Sequence, residues 1–379
     1  MKRLLLIGER FSENLGDQVI CETVTNLINN NFSDLKVDVF DMSGKISSTD
    51  CFQYNKNNII LKNFFRLSNR IPFFFSNNLL YKAYKNDEDR FLRTYFHLKK
   101  IINENHYDIA IFAGGALFMD YFAGIVNLIV KMLKRKKIKV SFHAIGLGSL
   151  SQNSILLLKD AFSQKNVIDI SIRDSFLKFN KLFGDVIAAT ETNDTALCCS
   201  EFYNGNQSSI DYGLGLINIP VLYEFQKKLV VDFIESGLSF KIFTNGAKYD
   251  EKFVNDIIND INISDEKKKN IIMPRALSGQ QLVENITTFK FIVSFRLHSQ
   301  IIASSFDIPS IGIEWDKKVR EFYKKLDYEE CCTTPKDDFS LEKILNKKMD
   351  KKILNKKVNE NGEDSKNNLI MQIDHLLEI

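Results

Sequence analysis

An apolar strand pattern, Phe291 to Phe295, is broken at once by Arg296 and His298, two residues apart, and a helix pattern follows over Ser299–Phe306. In an open α/β sheet, ligands bind at the carboxyl ends of strands, beside helix N-termini whose free amides attract anions. A fixed cation and a titratable imidazole at that point suit an anionic substrate and a proton transfer. The next strand, Ser310–Glu314, runs into Trp315-Asp316-Lys317-Lys318, so Arg296, His298 and Lys318 come from adjacent strand ends. The plain alternative is a buried His298 with satisfied hydrogen bonds. Three cation-capable groups at neighbouring sheet edges favour a phosphate or carboxylate site instead.

Three earlier segments share this strand-to-helix position. Gly8 and Gly16 frame a polar loop that contains Asn14 and precedes Asp17. It is neither a dinucleotide fingerprint nor a P-loop, and its plain reading is a tight turn with Asp17 capping a helix. Gly114-Gly115 follows the strand Asp108–Ala113, where paired glycines let the backbone approach a ligand or a neighbouring element closely. Arg173-Asp174-Ser175 ends another strand. An arginine there can grip a carboxylate or phosphate through two parallel hydrogen bonds, or simply pair with Asp174 to little effect. His143, Gly146 and Gly148 are placed similarly, and a lone histidine such as His143 is more often structural.

The elements that must position these groups alternate along the chain. Strands are expected at Lys2–Gly8, Lys36–Asp41, Asp108–Ala113, Lys139–Ile145 and Ile168–Arg173, with helices at Asp17–Asn29, Tyr121–Lys134, Ile155–Gln164 and Asp174–Phe183. Residues 43–90, rich in Asn and Phe, read as an insertion with helical pieces on the acceptor side. Residues 200–211 are polar and turn-rich, a linker pattern. A second alternation follows, with strands at Tyr212–Ile219, Ser239–Thr244, Asn270–Met273, Phe291–Phe295 and Ser310–Glu314. Such alternation predicts two Rossmann-like, doubly wound α/β domains facing across a cleft. The expected division is 1–205, 206–330 and a Lys-rich helical extension over 331–379 that ends in an apolar helix, Leu369–Leu377.

Composition bounds the function. The 379 residues suffice for two domains, and 44% hydrophobic, 26% charged and net +3 carry no global bias toward nucleic acid. The basic run Lys131–Lys139 closes a helix, where cations complement the dipole. The six cysteines form neither a zinc spacing nor a secreted disulfide framework, so reduced thiols in a cytoplasmic protein are expected. No metal-ligand spacing stands out. The longest apolar stretch, Tyr121 to Leu133, is about half a membrane span, and the N-terminal apolar run reads as a strand rather than a signal peptide. The lysine-rich tail reads as a solvated helix plus a docking helix; attraction to an acidic inner membrane face is the alternative.

The ordered set Asn14-Leu15-Gly16-Asp17, Gly114-Gly115, Arg173-Asp174-Ser175, Asp194-Thr195-Ala196-Leu197, Arg296-Leu297-His298 and Trp315-Asp316-Lys317-Lys318-Val319 resembles the polysaccharide pyruvyl transferase family over roughly residues 1–325. Two prolines usual in that pattern are replaced, by Thr195 and Lys317, and Trp315 stands where a tyrosine is more usual. The resemblance implies a glycosyltransferase-B-like architecture and transfer of pyruvate from phosphoenolpyruvate, as co-substrate, to a sugar of a cell-surface glycan such as a capsule or exopolysaccharide, or to its lipid-linked precursor. It implies a role for His298 in catalysis and for Arg173, Arg296 and Lys318 in substrate binding, with no separate cofactor. Asn14, Gly16, Asp17, Gly114 and Gly115 join the substrate-binding set. Two other readings share the fold: a glycosyltransferase that uses a nucleotide sugar, and a non-catalytic carbohydrate-assembly protein.

Overall fold

The strand Lys2–Gly8 (β1) shows why the first sheet is parallel and covered on both faces. Its residues Leu4 to Ile7 are wholly buried in the computed structural model, which describes residues 1–47, 75–335, 340–347 and 349–379. A continuous apolar run of this kind is what helices on both sides of a sheet require. The helix Leu15–Asn31 (α1) leads to Leu35–Asp41 (β2), which pairs with β1 in parallel. Helices Phe75–Asn86 (α2) and Glu88–Glu104 (α3) then precede Ile109–Ala113 (β3).

After β3 the alternation is regular. Asp120–Arg135 (α4), Lys139–Ile145 (β4), Gln152–Phe162 (α5), Val167–Ile172 (β5), Phe176–Phe183 (α6) and the two-residue Thr190–Glu191 (β6) follow. The strand order is β2-β1-β3-β4-β5-β6. Much of the chain's phenylalanine fills this core: Phe112 and Phe142 stack with centroids 4.4 Å apart, and Phe118, Phe162, Phe179 and Phe183 continue the cluster. Offset and edge-on ring pairs add to what burial alone contributes.

The second sheet has the order β11-β10-β9-β7-β8. It comprises Ile210–Gly215 (β7), Phe240–Phe243 (β8), Phe289–Ser294 (β9), Ser310–Ile313 (β10) and Cys332–Thr333 (β11), all paired in parallel. Its helices are Tyr223–Glu235 (α7), Lys248–Asn259 (α8), Asp265–Ile271 (α9), Gly279–Thr287 (α10), Leu297–Ser305 (α11), Lys317–Lys325 (α12) and Leu341–Leu345 (α13). The last helix, Lys351–Glu378 (α14), runs to the end of the chain.

Three expectations need correction. Helix α3 is unexpected: Phe91, Leu92, Leu98 and Ile102 are buried on one face, and Asp87 caps it by accepting from the Arg90 amide, but the polar run before it masks the pattern. Asn270–Met273 is not a strand. Ser264 caps α9, whose Asp-Glu-Lys-Lys-Lys run carries the helix to Ile271 and leaves Ile272 as an isolated bridge to Ile242. Residues 200–211 are not a free linker, because the Asn206 amide donates to Thr287 Oγ1 and the Ser209 amide to the Thr288 carbonyl.

The division also differs from 1–205, 206–330 and 331–379. One compact unit holds Met1–Phe11, Val24–Thr192 and Asn367–Ile379; the other holds Ser12–Thr23 and Asn193–Lys366. The boundary falls before residue 205 because Thr195–Glu201 is a 3-10 helix tied to α11, with the Ser200 amide on Ser305 Oγ. The tail is no separate extension. Ser365 meets Thr195 at 3.0 Å within the second unit, while buried Leu369, Ile373 and Leu376 return the chain to the first. Of the expected 43–90 insertion, Phe75–Asn86 is helical and residues 48–74 lie outside the described residues.

Candidate active site

In the second unit the carboxyl ends of β7, β8, β9 and β10 are knitted together by side chains. Arg296 caps α11, directly after β9 and Phe295. Its guanidinium pairs with Asp250, a wholly buried carboxylate in the first turn of α8. The other oxygen of Asp250 accepts the Asn218 amide at 2.8 Å, so one carboxylate joins the loop after β7 to the helix after β9. Burial works against the Arg296 charge, but Asp250 and Tyr249 outweigh it, and the guanidinium pKa lies above its ordinary value. Arg296 is therefore a permanent, oriented cation. Its buried Nε makes no hydrogen bond within the protein.

His298, in the first turn of α11, is 8% exposed. Its Nδ1 lies 3.8 Å from Asp17 Oδ1, and Asn14 Nδ2 donates to the other oxygen of Asp17 at 2.8 Å. Gly16 has a steric reason: a β-carbon there would come within 2.3 Å of His298 Cβ. Asn245, after β8, fixes both partners. Its carbonyl accepts the Leu15 amide at 2.9 Å and its side-chain oxygen accepts from Ser299 Oγ at 2.6 Å.

Lys318 approaches the same strand ends from α12. Its Nζ lies 3.3 Å from Asp316, the cap of that helix, and 5.3 Å from the Trp315 ring centroid. The Trp315 indole donates to the Phe295 carbonyl at 2.7 Å, which ties the Lys318 loop to the residue before Arg296. Arg296, His298, Lys318, Asn14, Gly16 and Asp17 thus all belong to the second unit. Asp250 and Asn245 are parts of this constellation that motif reading missed. Asp250 looks like an ordinary acid in a helix's first turn, and Asn245-Gly246 looks like an ordinary turn.

Arg173, Gly114 and Gly115 sit in the first unit, at the ends of β5 and β3. Both glycines have positive φ, 41° and 74°. The Gly114 amide donates to the His143 carbonyl and the Gly115 carbonyl accepts from Gly146, so the pair packs β3 against β4. Arg173 is buried with its Nε 3.3 Å from Asp174 Oδ2, and Asp174 also accepts the Leu147 amide at 2.9 Å. That pair leaves no room for a side chain at Gly146, where a β-carbon would meet Asp174 at 2.7 Å. His143 is wholly enclosed, with Nδ1 3.1 Å from Gln372 and 3.3 Å from Asn368 of α14. Burial pushes its pKa down to about 4, although both amide side chains oppose the shift.

Among the described residues, no group of three or more His, Cys, Asp or Glu could hold a metal ion, and no helix is long and apolar enough to cross a membrane. The five described cysteines are buried, and for Cys198, Cys199, Cys331 and Cys332 burial raises the thiol pKa.

Comparison with known proteins places this arrangement. The family model described as polysaccharide pyruvyl transferase matches residues 14–317. Comparison with curated proteins returns no sequence match. Among solved structures, a putative UDP-N-acetylglucosamine 2-epimerase from Listeria monocytogenes superposes with a TM-score of 0.60 at 9% identity, covering 100% of this chain and 97% of that one. The UDP-GlcNAc 2-epimerase of Methanocaldococcus jannaschii gives 0.59 at 13%, covering 98% and 99%. The trehalose-6-phosphate synthase OtsA gives 0.56 at 10%, covering 100% and 98%. At such identities the likeness establishes the fold, two Rossmann-like domains of the glycosyltransferase-B type.

Proposed function

The chain belongs to the polysaccharide pyruvyl transferase family, and we propose that it transfers pyruvate from phosphoenolpyruvate to a sugar of a cell-surface glycan or its precursor, forming a cyclic ketal. The observation that carries this reading is the buried Arg296–Asp250 pair beside His298 and Lys318. Phosphoenolpyruvate has a carboxylate and a phosphate, and a donor site for it needs cations in fixed geometry. Arg296 supplies a planar donor held in place by Asp250, with an Nε–H still to be satisfied. Lys318 supplies a second, more mobile charge.

In the proposed reaction, His298 acts as the acid that protonates the methylene carbon of phosphoenolpyruvate. The central carbon then carries cationic character, and a sugar hydroxyl attacks it. That hydroxyl's proton passes to the imidazole, which is left neutral by the first step. Phosphate departs with its C–O bonding pair, stabilised by Arg296 and Lys318. A second hydroxyl closes the ketal on the same carbon, and its proton leaves to the phosphate or to solvent. Asp17 stands where it supports positive charge on the imidazole during these transfers. Gly114, Gly115 and Arg173 hold the loops of the first unit in this reading, with Arg173 bound to Asp174.

Protein incubated with phosphoenolpyruvate and candidate acceptor saccharides should release phosphate and yield one product molecule, heavier by a pyruvyl ketal, per phosphate. Absence of both with every surface-glycan precursor of the host would reject the proposal. A second reading, nucleotide-sugar chemistry, draws on neighbours whose descriptions name UDP-GlcNAc. Thermal stabilisation by UDP-GlcNAc but not by phosphoenolpyruvate would favour it. We place the protein in the cytoplasm, where phosphoenolpyruvate is available.

A further inference from the structure

The first unit contains a cavity of about 510 Å³ between α2, α3 and the N-terminal turns of α4 and α5, lined by none of the residues assigned above. Its volume falls in the range of small-molecule sites. Arg90 lines it with a side chain only 7% exposed. Asp87 lies 3.0 Å from Arg90 Nε and the Tyr121 ring centroid lies 3.6 Å from the guanidinium carbon, yet Nη1 makes no hydrogen bond within the protein. A buried guanidinium N–H without an acceptor is costly, and a ligand oxygen would relieve it. Burial accordingly lowers the Arg90 pKa, against the opposing influence of Tyr121 and Asp87.

The rest of the lining indicates the ligand. Among the described lining residues two cations, Lys82 and Arg90, face two carboxylates, Asp87 and Asp120, a balance that gives an anion no advantage. Asp120 accepts the Ser151 amide at 2.7 Å and is held rigidly at the rim. Tyr121 is 54% exposed beside it, an aromatic surface that remains partly open although Arg90 covers one face. An open ring edged by fixed, charge-balanced hydrogen-bonding groups suits a neutral polyol with one apolar C–H face. That is a pyranose.

We propose that this cavity binds a neutral sugar ring, packed against the exposed edge of Tyr121, with Arg90, which covers the ring face, donating from Nη1 to a ring or hydroxyl oxygen. The proposal rests on the pyruvyl-transfer reading only in calling that sugar part of the acceptor. Saturation-transfer NMR on the full chain tests it, with the methyl β-pyranosides of glucose, galactose, mannose and N-acetylglucosamine as probes. At least one probe should bind. Tyr121→Ala should weaken it by about tenfold or more, whereas Tyr121→Phe, which keeps the ring, and His298→Ala should bind as the unaltered protein does. Tyr121 is too exposed for its loss to unfold the domain, and an unchanged unfolding temperature of the ligand-free variant verifies this. Failure of all four probes, or binding indifferent to Tyr121→Ala, overturns the proposal. Sugar binding that depends on Tyr121, in a protein that ignores phosphoenolpyruvate, would support the cavity and reject pyruvyl transfer.

Discussion

The His298 ring packs on the backbone of Gly16 so closely that a β-carbon at Gly16 would lie 2.5 Å from His298 Nδ1. Only glycine fits, since one added methyl must displace either the imidazole or the start of α1. Gly16→Ala should therefore cost stability of about 1–3 kcal/mol as overpacking does, and it should move the proposed acid away from its substrate. We expect a fall in kcat of at least about tenfold, with the KM for phosphoenolpyruvate changed much less. Phosphate-release kinetics beside thermal unfolding would check it; full activity in a destabilised protein would show that His298 position does not matter.

Asp250 should be more than a spectator. Replacing it with Ala leaves the Arg296 guanidinium largely buried without its counter-charge and orphans the Asn218 amide. Breaking one side of such a pair costs about 3 kcal/mol or more. Asp250→Asn keeps the hydrogen-bonding shape at lower cost. The expected result is a higher KM for phosphoenolpyruvate in Asp250→Asn, and a marked loss of thermal stability in Asp250→Ala. An unchanged KM in Asp250→Asn would remove Arg296 from donor recognition.

How far the sequence foretells this site depends on the range of the interaction. Strands β1 and β4 match their expected limits because an apolar run bounded by polar residues needs no partner to be recognised. The cationic strand end at Arg296 and His298 is equally local. The reason for Gly16 is not local, because it is the His298 ring, far along the chain. Asp250 is hidden by the same logic, since an acid in a helix's first turn already has a sufficient local explanation. Arg173 shows how two local readings can stand side by side: its strand-end position suits an anion grip or a pairing with Asp174, and the structure places it against Asp174 beside the Gly146 loop. Domain limits are harder still, for α1 and α14 each contribute to both compact units.

Trp315 links Lys318 to Arg296 through a single indole hydrogen bond to the Phe295 carbonyl. Trp315→Phe preserves an aromatic face near Lys318 but deletes that bond, worth about 1 kcal/mol net. We expect a small drop in thermal stability and a several-fold rise in the KM for phosphoenolpyruvate, as the Lys318 loop loses its fixed distance from α11. If Trp315→Phe matched the unaltered protein while Lys318→Ala did not, the lysine would act without that restraint.

His143 gives the protein a pH dependence of its own. The fold holds this imidazole neutral, with its pKa lowered from 6.5 to about 4 by burial. Between those values the unfolded chain binds a proton that the native state does not, so stability rises with pH across the window. The contribution is fully present above pH 6.5 and is lost as pH falls toward 4. The shift corresponds to about 3 kcal/mol. His143→Gln removes the titrating group while retaining a side chain that can meet Gln372 and Asn368. Equilibrium unfolding from pH 7.5 to 4.5 should therefore show the stability gap between the two proteins shrinking as pH falls. Parallel profiles across that range would mean that folding leaves the His143 pKa unshifted, so that burial does not hold the imidazole neutral.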